Sequence, residues 1–184
     1  NDEHSLANNY VRCVFESSKK ECFVGTLSGL QHYSADADRF TDIPLILQDG
    51  IIVEPNVAAI EELSNGDLLV GTAGQGLFKI TNTHKGLVGI SMEKRIPIPI
   101  VNALHEDRNG NLWISAGENG IFRIDRNQQL HCYQKGANES EYTISSICET
   151  PDKQIYIGSL GKGLLKYNPT LDLFEPIIYA NHPE

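Results

Sequence analysis

Six polar side chains are the best candidates for binding chemistry, because they stand where otherwise similar stretches of the chain differ from one another. These residues are Arg12, Gln75, Asn102, Glu118, Asn119 and Lys162. Their guanidinium, amide, carboxylate and ammonium groups can hydrogen-bond hydroxyl groups or a carboxylate. Each is also compatible with an ordinary solvated loop residue, and the sequence leaves both interpretations open.

The sequence predicts neither a catalytic centre nor a metal or cofactor site. His105 and His131 are isolated, and spacing alone assembles no Ser-His-Asp arrangement and no pair of catalytic carboxylates. The four cysteines are Cys13, Cys22, Cys132 and Cys148. They include no CxxC pair, and no histidine pair has zinc-site spacing. We expect buried thiols, and a bridge between Cys13 and Cys22 is the alternative in an oxidising compartment.

Composition and charge indicate a globular protein that does not bind nucleic acid. Hydrophobic residues make up 40% of the 184-residue chain, and charged residues make up 21%. Fifteen basic residues against 24 acidic ones give a net charge of −9, whereas phosphate binding requires a clustered basic surface. No apolar run approaches the ~20 residues of a membrane helix, so we expect no membrane segment in this chain.

The elements that position the six candidates are four aligned repeats. The repeats begin at Val11, Val57, Val101 and Ile144, which are 46, 44 and 43 residues apart. The pattern of each repeat predicts four short strands. In the third repeat the predicted strands are Val101–His105, Leu112–Ser115, Gly120–Asp125 and Leu130–Gln134. The fourth strands of the other repeats are predicted at Arg39–Ile43, Leu87–Met92 and Leu173–Ile178.

Four strands at this spacing are typical of a β-propeller blade. We therefore predict an all-β fold of four tandem four-stranded antiparallel repeats, forming one segment of a larger propeller. The blades are expected at approximately 11–56, 57–100, 101–143 and 144–179. Arg12 and Asn102 then lie at the second position of an opening strand. The other candidates lie in loops between the second and third strands of their blades.

Residues that recur in every repeat are predicted to serve the scaffold. A glutamate occupies the sixth aligned position each time, as Glu16, Glu62, Glu106 and Glu149. A group that binds one ligand has no reason to recur in every blade, so we expect these carboxylates to bond backbone at the hairpins. Trp113 aligns with large apolar or aromatic residues, which predicts packing between blades. Asn109-Gly110 predicts a tight turn, since both residues tolerate positive φ.

The repeat resembles the two-component regulator propeller repeat. In the third copy the resemblance rests on Val101, Leu104, Glu106-Asp107, Gly110, Leu112-Trp113-Ile114 and Gly120-Ile121. Gly25-Thr26 and Gly71-Thr72 supply the Gly-Thr pair that the third copy replaces with Ser115-Ala116, and Tyr167-Asn168 matches the ending.

The resemblance implies the periplasmic sensor region of a hybrid two-component regulator from Bacteroides-like bacteria, anchored in the inner membrane. It implies an oligosaccharide ligand, a carbohydrate breakdown product whose binding signals to a cytoplasmic histidine kinase. The parent would carry the kinase, and this segment would have no catalytic activity. The alternatives are a lyase-like propeller enzyme, since streptogramin-lyase-like enzymes have similar blades, and a pure protein-interaction scaffold. The expected protein partner is either a second copy of the chain or the remaining blades of the parent.

Overall fold

The structure of the protein, a computed structural model, describes residues 5–133 and 143–177. These residues form 18 short strands and a single 3-10 turn, which confirms the predicted all-β class and the four antiparallel repeats. The chain divides into two compact units, Asn1–Leu104 and His105–Glu184, and each unit is described by itself. Each repeat forms one sheet, which we call a blade.

The first blade is an antiparallel meander of four strands in sequence order. Its strands are β1 (Val11–Glu16), β2 (Cys22–Thr26), β3 (Gly29–Ser34) and β4 (Arg39–Ile43). The fourth strand has the predicted bounds. Pairing of β1 with β2 shifts register between Val11 and Cys13, so Arg12 lies in a β-bulge.

The second blade has two more strands than the repeat predicts. The connection between blades contributes β5 (Leu45–Ile46) and β6 (Ile52–Val53), and the repeat contributes β7 (Val57–Glu62), β8 (Leu68–Thr72), β9 (Leu77–Thr83) and β10 (Gly86–Ser91). The sheet order is β6-β5-β10-β9-β8-β7, and β5 runs parallel to β10. The linker hairpin thereby covers the edge of β10, which would otherwise expose unpaired backbone groups.

The third and fourth blades return to four strands each. The third contains β11 (Ala103–Glu106), β12 (Leu112–Ser115), the 3-10 turn Gly117–Asn119, β13 (Ile121–Ile124) and β14 (Leu130–Tyr133). The fourth contains β15 (Thr143–Glu149), β16 (Ile155–Leu160), β17 (Gly163–Asn168) and β18 (Leu173–Pro176). The predicted strand ends at Gln134 and Ile178, and the predicted blade limit at residue 179, lie outside the described residues.

The hairpin between the first two repeat strands has one geometry in every blade. In the third blade, Gly110 N donates to Asp107 O at 2.7 Å and Asp107 N donates to Asn111 O at 2.9 Å. The fourth turn residue has positive φ in each copy, at Lys20, Gly66, Gly110 and Lys153. The expectation of positive φ at Asn109 is therefore wrong, because only Gly110 takes the left-handed conformation in this turn.

Each unit has its own apolar core between two blades. In the first unit, Phe23 and Leu30 of the first blade pack with Val57, Ile60 and other residues of the second. Val57 Cγ1 would lie only 2.5 Å from a Cβ added to Gly25, so this glycine forms a socket for the valine. A contact this close leaves no room for any side chain at Gly25.

Trp113 lies in the core of the second unit. It is 1% exposed and packs with Ile121 of its own blade and with Ile144, Ile157 and other residues of the fourth blade. The large ring contributes much of the apolar area that these two blades bury against each other.

Candidate functional site

Two of the six candidate residues line cavities, one in each unit. Gln75 lines a cavity of about 380 Å³ in the first unit, and Lys162 lines one of about 280 Å³ in the second. The other four, Arg12, Asn102, Glu118 and Asn119, are absent from the lining of both cavities.

The loop that carries Gln75 is held in place by backbone hydrogen bonds. Gly74 N and Gly76 N both donate to Pro99 O, at 3.1 and 2.7 Å, and Gln75 N donates to Thr72 Oγ1 at 3.1 Å. A side chain is excluded at Gly76, because its φ is +74° and an added Cβ would lie 2.7 Å from Ile98 O. This anchoring fixes the backbone of Gln75 while its side chain stays exposed.

The cavity beside Gln75 combines apolar walls with two polar groups. Leu47 of the linker hairpin and the rings of Pro97 and Pro99 provide the apolar surface. The amide of Gln75 and the carboxylate of Glu93 provide hydrogen-bond donors and acceptors. An apolar wall with a few polar groups at its edge is the usual composition of a small-molecule site.

The cavity beside Lys162 is lined by several apolar side chains, among them buried Ile121, Ile144 and Ile157 and half-buried Phe174. The Lys162 backbone N–H donates to Ser159 Oγ at 3.1 Å, which fixes the loop but leaves the ammonium group exposed.

The remaining candidates lie on the surface in two kinds of local structure. Glu118 and Asn119 are exposed on the 3-10 turn, where Asn119 N donates to Ala116 O at 3.1 Å. Arg12 is exposed at the bulge of β1, and half-buried Asn102 precedes β11 at the aligned position. At the aligned position the register between the first two strands shifts in the first, second and fourth blades, and a bulge of this kind redirects the side chain that it carries.

Two of the repeated glutamates bond the first hairpin of the preceding blade. Glu62 accepts hydrogen bonds from Ser18 N at 2.6 Å and from Ser18 Oγ at 2.7 Å. Glu149 accepts one from Arg108 N at 3.1 Å. Ser18 and Arg108 occupy the same aligned position, two residues after the glutamate of their own repeat. The bonds from the Ser18 backbone and hydroxyl lower the pKa of Glu62, because they stabilise its ionised form.

The first repeat differs in this respect. The Glu16 carboxylate forms an exposed ion pair with Lys20 of its own hairpin at 2.7 Å. Glu106 ends β11 and is half-buried. The scaffold role of the four glutamates remains a prediction that the bonds of Glu62 and Glu149 support.

Asp107, to which the sequence assigned no role beyond the family resemblance, organises the hairpin of the third blade. It is only 5% exposed. Its Oδ1 accepts hydrogen bonds from Asn109 N and Asn111 N, both at 2.9 Å. Its Oδ2 accepts one from Asn111 Nδ2 at 2.8 Å and one from the Trp113 indole N–H at 2.9 Å. One carboxylate thus closes the turn and satisfies the buried indole of the inter-blade core.

A second unexpected cluster surrounds Arg123. Its guanidinium lies over the rings of Trp113, Tyr133 and Tyr167, with centroid distances of 5.4, 5.5 and 5.7 Å. Arg123 Nη1 lies 3.2 Å from Asp172 Oδ1, which also accepts hydrogen bonds from the hydroxyls of Tyr133 and Tyr167. The bonds from Tyr167 and then Tyr133 lower the pKa of Asp172. Burial and the bond to Asp172 raise the pKa of Tyr133.

The histidines and cysteines show no catalytic arrangement in the part of the chain that the structure describes. His131 Nε2 lies 3.1 Å from Asp125 Oδ2 in the β13–β14 hairpin, and no group of three or more His, Cys, Asp or Glu residues within residues 5–133 and 143–177 could hold a metal ion. All four cysteines are thiols. Burial raises the pKa of Cys13 to about 11, which keeps this thiol protonated at neutral pH. Cys132 and Cys148 are exposed, which corrects the expectation that all four are buried.

The chain matches a known family over a short segment. The family model described as two component regulator propeller matches residues 96–118, which include Glu106, Asp107 and Trp113. The match confirms the resemblance in the third repeat. No curated protein is detectably similar to the chain.

Solved structures share the fold at low sequence identity. The extracellular domain of BT4673 from B. thetaiotaomicron, named as a one-component system, superposes with a TM-score of 0.78 at 16% identity over 99% of this chain and 26% of its own. A streptogramin B lyase gives 0.66 at 18% identity, over 93% of this chain and 55% of the lyase. PorZ, a surface component of the type-IX secretion system of Porphyromonas gingivalis, gives 0.68 at 13%, over 100% of this chain and 30% of PorZ. The chain thus spans between about a quarter and a little over half of the length of these three proteins.

Proposed function

We propose that this chain is the ligand-binding part of an extracytoplasmic sensor protein, in which it would form one segment of a longer propeller. The match of residues 96–118 to the two-component regulator propeller and the fold shared with the BT4673 extracellular domain support this role. We place the chain on the periplasmic side of the inner membrane, as part of an anchored sensor. Within residues 5–133 and 143–177 no helix is long and apolar enough to cross a membrane.

The ligand we propose is a neutral oligosaccharide, a carbohydrate breakdown product, bound in the cavity beside Gln75. The single observation that carries this proposal is the composition of that cavity. The faces of sugar rings are apolar and pack on surfaces such as Leu47, Pro97 and Pro99, whereas sugar hydroxyls bond amides and carboxylates such as those of Gln75 and Glu93. The Glu93 carboxylate and the net charge of −9 disfavour an acidic sugar.

Calorimetry against a panel of neutral and acidic oligosaccharides tests the proposal. We expect a neutral member to bind, with affinity reduced at least about tenfold in Gln75→Ala, which corresponds to the loss of one or two hydrogen bonds. Asn119→Ala is the matched control, because Asn119 is exposed and lies outside both cavities. Binding that survives Gln75→Ala and Glu93→Ala, or that depends on Arg12 or Lys162 instead, would reject the cavity beside Gln75.

We propose no catalytic activity for the segment. The likeness to the streptogramin B lyase is a likeness of fold at 18% identity, and fold alone does not carry an activity. A pure interaction scaffold is the other alternative, and it predicts that no sugar of the panel binds.

A further inference from the structure

A small cavity lies in the first unit, between the first hairpin of the first blade and the sheet of the second blade. Its volume is about 200 Å³, and none of its lining residues lines the cavity beside Gln75. We call it the hairpin cavity. Its apolar surface comes from Phe23, Leu68, Ile80 and Leu87. Pockets for drug-sized ligands measure roughly 300–1,000 Å³, so the hairpin cavity fits a smaller molecule.

The hairpin cavity is open because two of its residues are smaller than their counterparts in the second unit. Phe23 aligns with Trp113, and Ile80 aligns with Tyr167. Trp113 and Tyr167 pack edge to face, with their ring centroids 4.8 Å apart. Phe23 and Ile80 both line the cavity, since the smaller pair leaves space that aromatic rings occupy at the aligned positions. The cavity therefore follows from the side chains of this unit and not from the repeat itself.

The first hairpin lines this cavity with opposite charges. Lys19 and Glu21 come from the same turn, which is closed by Ser17 N donating to Glu21 O at 2.9 Å. The aligned residues of the third repeat are Asn109 and Asn111, and no other repeat has a cation and an anion at these two positions. Since residues that differ between repeats are the ones expected to bind a ligand, this pair of charges marks the first hairpin as a binding element.

The second blade adds another carboxylate to the wall of the cavity, that of Glu62. Its two oxygens accept hydrogen bonds from Ser18 N and Ser18 Oγ, which fix the position of this side chain. The cavity thus has two carboxylates and one ammonium group, and this balance favours a ligand with a cationic group. A ligand that also carries an anionic group satisfies Lys19 as well as Glu21.

We propose that the hairpin cavity binds a free α-amino acid with an apolar side chain, which is a zwitterion at neutral pH. The ammonium group of the ligand donates to Glu21, and its carboxylate accepts from Lys19. Charge-assisted hydrogen bonds of this kind are stronger than neutral ones and orient the ligand at both ends. The apolar side chain of the ligand packs against Phe23 and Ile80, which removes its surface from water. This site is separate from the oligosaccharide site and does not rest on it.

Calorimetry with L-leucine and two analogues of it tests the proposal. The first analogue, 4-methylpentanoate, keeps the carbon skeleton and the carboxylate but lacks the ammonium group. The second, 3-methylbutylamine, lacks the carboxylate. We expect L-leucine to bind and each analogue to bind at least about tenfold more weakly, as the loss of one charge-assisted hydrogen bond implies. The proposal is overturned if L-leucine does not bind, or if either analogue binds as tightly as L-leucine.

Glu21→Gln identifies the site of binding. This variant should lower the affinity for L-leucine at least about tenfold, but it should not lower the affinity for 4-methylpentanoate, which has no ammonium group to lose a partner. The matched control is Lys20→Gln, because Lys20 belongs to the same turn but pairs with Glu16 outside the cavity. Unchanged L-leucine affinity in Glu21→Gln, or an equal loss in Lys20→Gln, would reject the hairpin cavity.

Ile80→Tyr tests the cavity by filling it, since it introduces the side chain found at Tyr167. Binding of L-leucine should be lost in this variant, and circular dichroism verifies that the strands are retained. If the variant does not fold, Glu21→Gln decides the question alone. Gln75→Ala should leave L-leucine binding unchanged, because Gln75 lines the other cavity of this unit. The amino acid site and the oligosaccharide site can therefore fail independently of each other.

Discussion

Replacing Asp107 by alanine should destabilise the second unit more than any other single change in a hairpin. The substitution removes the acceptor of four hydrogen bonds. The turn N–H groups of Asn109 and Asn111 can recover part of the loss by bonding water. The indole N–H of Trp113 cannot, because Trp113 is 1% exposed, and an unsatisfied buried donor costs about 1–3 kcal/mol. With the lost turn bonds added, we expect the free energy of unfolding to fall by about 2–4 kcal/mol.

Asp125 provides the matched control for this substitution. It caps the β13–β14 hairpin in the same way, accepting hydrogen bonds from Asn127 N and Gln129 N at 2.9 Å each. Both of these donors are exposed, so Asp125→Ala should cost distinctly less. Urea denaturation followed by Trp113 fluorescence measures both variants, since Trp113 is the only tryptophan and lies in the core of this unit. Equal losses for Asp107→Ala and Asp125→Ala would refute the argument, because the buried indole would then contribute nothing.

Two further changes test the packing and the electrostatics. Gly71→Ala should destabilise the first unit by about 1–3 kcal/mol, because the new Cβ would lie 2.4 Å from Val101 Cγ1; adding Val101→Ala should recover part of that loss in urea denaturation. Because the pKa of Asp172 is lowered in the folded protein, the ionised carboxylate stabilises the fold fully at a pH above the unfolded-state pKa of about 4. This stabilisation is lost as the pH falls through the folded-state pKa. Asp172→Asn should therefore flatten the fall in stability between about pH 5 and pH 2, and an unchanged profile would contradict this assignment.

Two of the strands were predictable with their bounds from the aligned repeats. The predicted bounds Leu112–Ser115 and Arg39–Ile43 are confirmed. The opening strand of the third repeat was predicted from Val101, yet β11 begins at Ala103. The reason is that Val101 N donates to Thr72 O of the second blade at 2.8 Å instead of joining the ladder of its own blade. An alignment of repeats cannot show which backbone groups bond across to another blade.

The linker hairpin was missed for a different physical reason. Strands of two residues, such as Leu45–Ile46 and Ile52–Val53, are too short to show a hydrophobic period in the sequence. Leu45 is nonetheless fully buried, because it packs against Gly89 of the neighbouring strand, where a Cβ would lie 2.3 Å from Leu45 Cδ2. Tertiary packing, and not local propensity, makes these residues strands.

Gln75 differs from its equivalents in the other repeats, but most of the residues that line its cavity come from segments outside the repeats. Glu93, Pro97 and Pro99 come from the connection that follows β10, and Leu47 comes from the hairpin that follows β4. Neither connection has an equivalent in the aligned repeats, so a comparison between repeats does not include its residues. The repeats form the rigid framework of such a protein, and the connections between them carry the residues that only one blade has. In a repeat protein, a candidate site is therefore better sought at the meeting of a variable loop with a connection than at the variable loop alone.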